Sequence, residues 1–199
     1  MPKLVLASAS PRRIELLKQI GLEFTAKPAD IDESARGFSD AGKYAVEMSR
    51  LKALFVAQSV EAQEDVYVLG ADTTVEIDGQ ILGKPEDYAD AVRMLELIQG
   101  KWHRVFTGLS LIPAGKLEAI TDLECTRVKI RSMDRDMINC YLDTGESFDK
   151  AGSYAAQGYG GLIVERIDGC FFNVMGLPIF KLSKLLEKQG FKMLSWVKV

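Results

Sequence analysis

VYVLGADTTVEIDGQIL, residues 66–82, carries the clearest strand and turn signals of the chain. It begins with a short apolar run, residues 66–69, of the kind that forms a buried strand. The pair Asp78-Gly79 separates two alternating segments, which is a strong signal for a two-residue hairpin turn. A buried strand is therefore expected to lead directly into a hairpin, with the Asp72 carboxylate at the end of that strand.

The rest of the chain alternates between strand and helix patterns. Strands are predicted at 3–7, 22–26, 105–112 and 117–130, and a second Asp-Gly hairpin is predicted from strands at 162–167 and 170–174. Helices are predicted at 11–20, 41–58, 85–99, 133–142 and 178–189. This order favours a mixed α/β or α+β sheet with helices packed against it. No repeat or low-complexity linker interrupts the 199 residues, so we expect one domain, 1–199.

Composition limits the class of protein. With 47% apolar residues, 27% charged residues and a formal net charge of −3, the chain resembles a soluble globular protein and is a poor candidate for binding nucleic acid or an anionic membrane. The apolar run after Lys3 is too short for a signal peptide, and no other run approaches the length of a membrane span. We therefore expect a cytoplasmic protein.

Cysteine and histidine are sparse. Cys125, Cys140 and Cys170 are widely spaced, no C-x-x-C pair occurs, and His103 is the one histidine of the chain. This pattern disfavours both a zinc site and a catalytic cysteine. We expect the cysteines to be reduced and buried, and His103 to have a structural rather than a catalytic role.

The segment Ser8-Ala9-Ser10-Pro11-Arg12-Arg13 is the least expected local pattern. Ser10 and Pro11 are favoured at the start of a helix. Two arginines in the first turn are unfavourable, because that end of a helix already carries partial positive charge. An anion bound by the guanidinium groups, the serine hydroxyls and free backbone N–H groups would explain the placement. The alternative is that both arginines face solvent or pair with acidic loop residues.

Four further charged residues have two interpretations each. Lys52 has apolar neighbours in a predicted helix, so it either extends to water or reaches a buried anion. Asp72 is placed as a metal ligand or general base would be, or it forms a turn. The hairpin returns Lys84 towards Asp72, which would give a salt bridge or an anion pocket. Glu33 lies in an acidic loop that is either solvated or neutralised by a cation.

Together these features resemble the Maf family of nucleoside triphosphate pyrophosphatases, with similarity from residue 4 to about residue 178. The motifs that carry the resemblance are Ser8-x-Ser10-Pro11-Arg12-Arg13, Glu33, Lys52, Gly70-Ala71-Asp72-Thr73, Gly83-Lys84-Pro85, Asp149-Lys150-Ala151-Gly152 and Gln157-Gly158. The resemblance implies an elongated, two-lobed α/β fold with a central cleft, similar to that of inosine triphosphate pyrophosphatases. It also implies hydrolysis of a nucleoside triphosphate to the monophosphate and diphosphate, with a divalent metal.

The resemblance also implies roles for individual residues. Asp72 would be the proton acceptor, and Glu33 and Asp72 would bind Mg²⁺ or Mn²⁺, hard cations that prefer oxygen ligands. The expected catalytic residues are Asp72, Glu33, Lys52 and Lys84, and the expected substrate-binding residues are Ser8, Ser10, Arg12, Arg13, Thr73 and Gln157. The cations among them would hold the charged triphosphate.

The segment from Asp149 to Gly152, followed by Gln157, resembles the branch of the family that acts on dTTP and UTP. A glutamine amide can match both the N3–H and the O4 of uracil or thymine. Two other functions stay open: a pyrophosphatase for modified purine triphosphates such as 7-methyl-GTP, and a non-catalytic nucleotide-binding regulator of cell division. We expect a nucleoside triphosphate as substrate and no nucleic-acid or membrane partner, and leave a homodimer open.

Overall fold

The structure is a computed structural model that describes residues 3–31, 33, 38–63 and 65–195. Within these residues the strands are β1 (Lys3–Leu6), β2 (Phe24–Ala26), β3 (Val66–Ile77), β4 (Gln80–Leu82), β5 (Trp102–Pro113), β6 (Ile120–Ile130) and β7 (Val164–Asp168). The helices are α1 (Pro11–Gln19), α2 (Ala41–Ala57), α3 (Tyr88–Ile98), α4 (Arg135–Asp143), α5 (Phe171–Val174) and α6 (Ile179–Lys188), with short 3-10 helices at Ala151–Ser153 and Gly158–Leu162. None of the helices described combines the length and hydrophobicity needed to cross a bilayer.

The described strands form one open mixed sheet in the order β2-β1-β3-β5-β6-β7, with β4 also paired to β3. β1 runs parallel to β2 and β3, and the other pairs are antiparallel. β1 pairs with Val66–Leu69 of β3, whereas β4 pairs with Val75–Ile77. Residues 70–74 therefore have β5 on one side and, within the described residues, no strand on the other. This gap in the sheet lies at Asp72.

Helix α2 lies against the sheet at two glycines. A Cβ added to Gly70 would lie 2.0 Å from the carbonyl oxygen of Ser49, and one added to Gly108 would lie 2.3 Å from that of Ala45. A side chain at either glycine would therefore force the helix away from β3 and β5. The absence of both side chains lets α2 approach closely enough for Lys52 to reach the gap in the sheet.

Apolar residues pack on both faces of the sheet and form two lobes. In the first lobe, α1 and α6 cover one face and α2 covers the other. In the second lobe, α3 and α4 pack around β4 and the remaining ends of β3, β5 and β6. Representative residues are Leu6 and Leu69 of the sheet with Leu17 of α1 and Leu185 of α6, Val5 and Val68 of the sheet with Ala53 of α2, and Val75, Leu95, Val128 and Ile138 in the second lobe. The predicted mixed α/β sheet with flanking helices is confirmed.

The predicted hairpin at 162–174 is wrong. Val164–Asp168 forms β7 and pairs with β6, but Phe171–Val174 forms the helix α5. Buried Asn173 explains the difference, because its Nδ2 donates to the carbonyl oxygen of Val105 (3.0 Å) and to Oγ1 of Thr126 (2.9 Å). These bonds hold the segment against the sheet as a helical turn, and a short apolar run alone does not distinguish a strand from a helix.

Several predicted elements begin later than expected, among them β7, at Val164 rather than 162, and α4, at Arg135 rather than 133. β2 begins at Phe24 rather than 22, and β6 begins at Ile120 rather than 117. α3 begins at Tyr88 rather than 85, because the Asp87 side chain caps it by accepting from the backbone N–H of Asp90 (2.7 Å).

The expectation that the cysteines are buried is wrong. Cys125 and Cys140 are exposed, Cys170 is half-buried, and all are free thiols. Along β6, Thr126 and Val128 are buried, so the alternation of the strand turns Cys125 outward. In α4 the helical periodicity buries Ile138, Tyr141 and Leu142 and leaves Cys140 on the outer face.

His103 is buried in the second lobe. Its side chain is 2% exposed, and Nε2 lies 2.7 Å from the hydroxyl oxygen of Tyr154. Burial lowers the pKa of His103 to about 4, although the negative charge of Glu76 opposes the change. This environment agrees with a structural role.

We expect the protein to lose stability as the pH falls from 6.5, the ordinary pKa of the imidazole, to about 4. Over this interval the unfolded chain binds a proton at His103 and the folded chain does not, so protonation stabilises the unfolded state. The loss should reach about 3 kcal/mol and level off at lower pH. Urea unfolding of the wild type and of His103→Gln across this pH range isolates the contribution of His103 to the free energy of unfolding. Equal pH dependence in the two proteins would contradict this prediction.

Candidate functional site

A cavity of about 890 Å³ lies between the two lobes, at the gap in the sheet. Its walls come from the loop after β1, the start of α1, the middle of β3, the loop after β4, and segments near 149–154 and 174–176. The expected site residues that line it are Ser8, Ser10, Arg12, Arg13, Glu33, Lys52, Asp72, Thr73 and Lys84. The fold therefore brings these side chains, which are far apart in the sequence, into one cleft.

Lys52 joins two carboxylates at the base of the cleft. Its Nζ lies 2.7 Å from Oδ1 of Asp72 and 2.9 Å from Oε1 of Glu33. Lys52 and Asp72 are buried, whereas the Glu33 side chain is 41% exposed. Of the two interpretations of Lys52, contact with a buried anion is therefore confirmed.

The two carboxylates differ in proton affinity. Burial raises the pKa of Asp72, and the positive charges of Lys52 and Arg13 offset this only in part. Burial also opposes ionisation of Glu33, but attraction to Lys52 and Lys84 outweighs it and lowers the pKa of Glu33. Asp72 is thus the better proton acceptor of the two, and Glu33 is the more stable anion.

Lys84 contacts a different carboxylate from the one expected. Its Nζ lies 3.9 Å from Oε2 of Glu33, while Asp72 is paired with Lys52. Because the Lys84 side chain is 62% exposed, it extends over the cleft and is open to a ligand. The hairpin does return Lys84 towards the site, but Lys52 of α2 is the cation that pairs with Asp72.

Arg13 is held from three directions. Its Nε donates to the carbonyl oxygen of Gly176 (2.8 Å), Nη1 to Oγ of Ser8 (3.3 Å) and Nη2 to Oγ1 of Thr73 (3.1 Å). Each terminal nitrogen carries a second N–H, which these bonds leave for a ligand. Burial lowers the pKa of Arg13, with Asp72 opposing the change, and an arginine remains cationic near neutral pH. The alternative that Arg13 faces solvent is therefore wrong.

The start of α1 lines the cleft. Ser10 occupies the N-cap position, but its side chain makes no capping hydrogen bond, and Ser8 Oγ instead accepts from the backbone N–H of Ser10 (3.2 Å). Arg12 extends towards the second lobe, where burial lowers its pKa and the Asp149 charge partly restores it. The two arginines thus approach the cleft from different sides.

Gln157 is not among the residues that line the cleft. It is exposed and precedes the 3-10 helix Gly158–Leu162. That helix is anchored by Glu146, whose carboxylate accepts from the backbone N–H groups of Tyr159 (3.1 Å) and Gly160 (2.8 Å). A role for Gln157 in base recognition stays a prediction.

Sequence analysis missed three groups that support the site. Gly176 provides a carbonyl oxygen to Arg13, and Thr107 and Asn173 lie behind Thr73. The backbone oxygen of a glycine leaves no signal in a sequence. Thr107 could have been found only by registering β5 against β3, where it stands directly opposite Thr73.

The donor atoms fit a hard divalent cation. Asp72 and Glu33 each use one oxygen to accept from Lys52; Asp72 Oδ2 and Glu33 Oε2, the latter 3.9 Å from Lys84 Nζ, are the oxygens that could bind a metal. Within the described residues no group of three or more acidic, histidine or cysteine side chains could hold a metal. Mg²⁺ is commonly bound by one or two carboxylates together with substrate phosphates. The residues therefore suit a metal whose coordination the substrate completes.

Comparisons with known proteins show the family to which the chain is similar. The family model described as Maf-like protein matches residues 3–189. A dTTP/UTP pyrophosphatase of Acetivibrio thermocellus is 47% identical over 98% of both chains, and one of Caldicellulosiruptor bescii is 45% identical over 98% of both. One of Methylobacillus flagellatus is 46% identical over 96% of this chain and 94% of its own. A solved protein from Vibrio cholerae superposes with a TM-score of 0.35 at 9% identity, over 72% of this chain and 70% of its own.

Proposed function

Because this chain belongs to the Maf family, we propose that it hydrolyses dTTP and UTP to the monophosphate and diphosphate. The observation that carries the proposal is the buried Asp72–Lys52 pair, which lies with Arg13 in a single cleft. Relatives of nearly the same length that are named dTTP/UTP pyrophosphatases support this choice of substrate. Since β3 and β5 contribute to both lobes, residues 1–199 would act as one domain. The proposed location of the enzyme is the cytoplasm.

The cations have separate tasks in this proposal. Lys52 is already bonded to two carboxylates, so it would orient Asp72 and contribute little net charge. Arg12, Arg13 and Lys84 line the cleft with N–H groups available to a ligand, and would hold the polyanionic phosphate chain. Ser8, Ser10 and the free N–H groups of α1 would bind phosphate oxygens.

Hydrolysis at the α-phosphorus requires an attacking water opposite the leaving diphosphate. The carboxylate of Asp72 would orient this water and accept its proton, and the pKa raised by burial makes it a better base than an exposed aspartate. Glu33 and Asp72 would hold Mg²⁺ or Mn²⁺. Such a cation lowers the pKa of bound water and offsets phosphate charge.

Diphosphate release from a panel of triphosphates, assayed with Mg²⁺, tests the proposal. We expect dTTP and UTP to be hydrolysed about 100-fold faster than ATP, GTP and 7-methyl-GTP, because a site that pairs with one base edge rejects others strongly. Faster turnover of 7-methyl-GTP would instead indicate the modified-purine function. Nucleotide binding without turnover of any member would indicate the regulator.

Gln157→Glu tests the proposed recognition of the base. The carboxylate lacks the donor that a pyrimidine O4 needs, so we expect dTTP turnover to fall by about tenfold or more. The affinity for inorganic diphosphate, measured by calorimetry, should stay unchanged because diphosphate has no base. Equal losses in both measurements would exclude Gln157 from base recognition.

A further inference from the structure

A row of buried polar groups extends from Arg13 away from the cleft. Nη2 of Arg13 donates to Oγ1 of Thr73 (3.1 Å), which lies 2.9 Å from Oγ1 of Thr107. Thr107 Oγ1 in turn lies 3.2 Å from the carbonyl oxygen of Asn173. Thr107 and Asn173 are both 0% exposed, and neither lines the cleft. They therefore reach a ligand only through other residues.

The direction of each hydrogen bond in this row follows from the number of protons. Thr107 has one hydroxyl proton, and the carbonyl of Asn173 can only accept, so Thr107 donates to Asn173 and must accept from Thr73. The proton of Thr73 then points at Thr107, and the lone pairs of Thr73 face Arg13. Without Thr107 the remaining acceptor for Thr73 is the carbonyl oxygen of Gly176 at 3.5 Å, a weak contact.

The same row is anchored at its far end. Nδ2 of Asn173 donates to the backbone of β5 and to a threonine of β6, and these two bonds fasten the end of α5 to the sheet. Gly176 has a φ of 102°, which favours glycine, and its carbonyl oxygen accepts from Arg13 Nε at 2.8 Å. The guanidinium is thus clamped between the sheet, through Thr73 and Thr107, and the end of α5.

We propose that Thr107 is a positioning residue, which acts through Thr73 to hold the Arg13 guanidinium in the orientation that receives a phosphate group. The proposal rests on the proposed function, which provides the phosphate ligand. A long arginine side chain has many rotamers, and fixing one of them on binding costs conformational entropy. When the rotamer is already fixed before the ligand arrives, binding no longer carries this cost. A misplaced charge also stabilises the departing diphosphate less well.

Thr107→Val removes the hydroxyl but keeps the shape of the side chain. We expect the Kd for inorganic diphosphate to rise, and kcat/KM for dTTP to fall, by about tenfold each. Thr107→Ser keeps the hydroxyl and should restore both values to within about twofold. Ser110→Ala is the matched control, because it removes another buried hydroxyl of β5, bonded to Ser49 at 2.7 Å and outside the cleft. It should leave both values unchanged.

A double-mutant cycle with Arg13→Lys separates positioning from general damage. If Thr107 acts through Arg13, then Thr107→Val should change diphosphate affinity by less than about twofold when the guanidinium is already absent. An equal loss in both backgrounds, an equal loss in Ser110→Ala, or no loss at all would overturn the proposal. Diphosphate binding needs no turnover, so a protein that binds it but hydrolyses no triphosphate fails only the proposed function. A wild-type protein that hydrolyses dTTP but binds no diphosphate overturns the positioning proposal and leaves the proposed function standing.

Discussion

Asp72→Asn should lower kcat for dTTP by about 10³-fold, because an amide cannot accept the proton of the attacking water. The substitution preserves the size of the side chain and leaves Lys52 its bond to Glu33 at 2.9 Å, so the fold should survive. Triphosphate affinity should stay within about tenfold of the wild-type value, because Arg12, Arg13 and Lys84 are unchanged. Single-turnover kinetics and equilibrium binding separate these two effects.

Asp78→Asn is the control for this variant. Asp78 lies in the turn of the same hairpin, with a side chain that is 72% exposed and 3.5 Å from Lys101. Its loss should change neither turnover nor binding, since exposed ion pairs contribute little. Full activity in Asp72→Asn would remove Asp72 from the mechanism, whereas loss of binding together with turnover would make it a binding residue.

Lys52→Met should impair both activity and stability. The methionine fills a similar volume but leaves Asp72, which is 5% exposed, without its cation. We expect the free energy of unfolding to fall by about 3 kcal/mol at neutral pH. Turnover of dTTP should fall by at least about 100-fold, because Asp72 loses the 2.7 Å bond that orients it and a higher pKa leaves less of it ionised.

The pH dependence of Lys52→Met distinguishes this cause from simple unfolding. Without the attraction of Lys52, the pKa of Asp72 rises further, so the residual activity should recover as the pH is raised. Lys43→Met, an exposed lysine on the same helix, should behave like the wild type in activity and in urea unfolding. A Lys52→Met protein with the wild-type pH profile would show that Lys52 does not control Asp72.

Local patterns in the sequence predicted the parts of the fold that depend on neighbouring residues. Asp78 and Gly79 both have positive φ, as the predicted two-residue turn requires, and Ile77 pairs with Gln80 across it. The α1 start at Pro11 was predictable for the same reason. The strand predicted at 170–174 is wrong because the side chain of Asn173 forms hydrogen bonds with residues of distant strands. Local periodicity in the sequence contains no information about such bonds.

Residue order alone is enough to identify the charged groups of this protein and the local elements that carry them, because turns, caps and apolar periodicity act over a few residues. Which of these charged groups pair with one another depends on how the elements pack. Asp72 is paired with Lys52 rather than Lys84, because Gly70 and Gly108 let α2 approach the strands. Arg13 is oriented by a carbonyl oxygen far along the chain. Such pairings depend on three-dimensional distances between elements, which the order of residues along a chain does not contain.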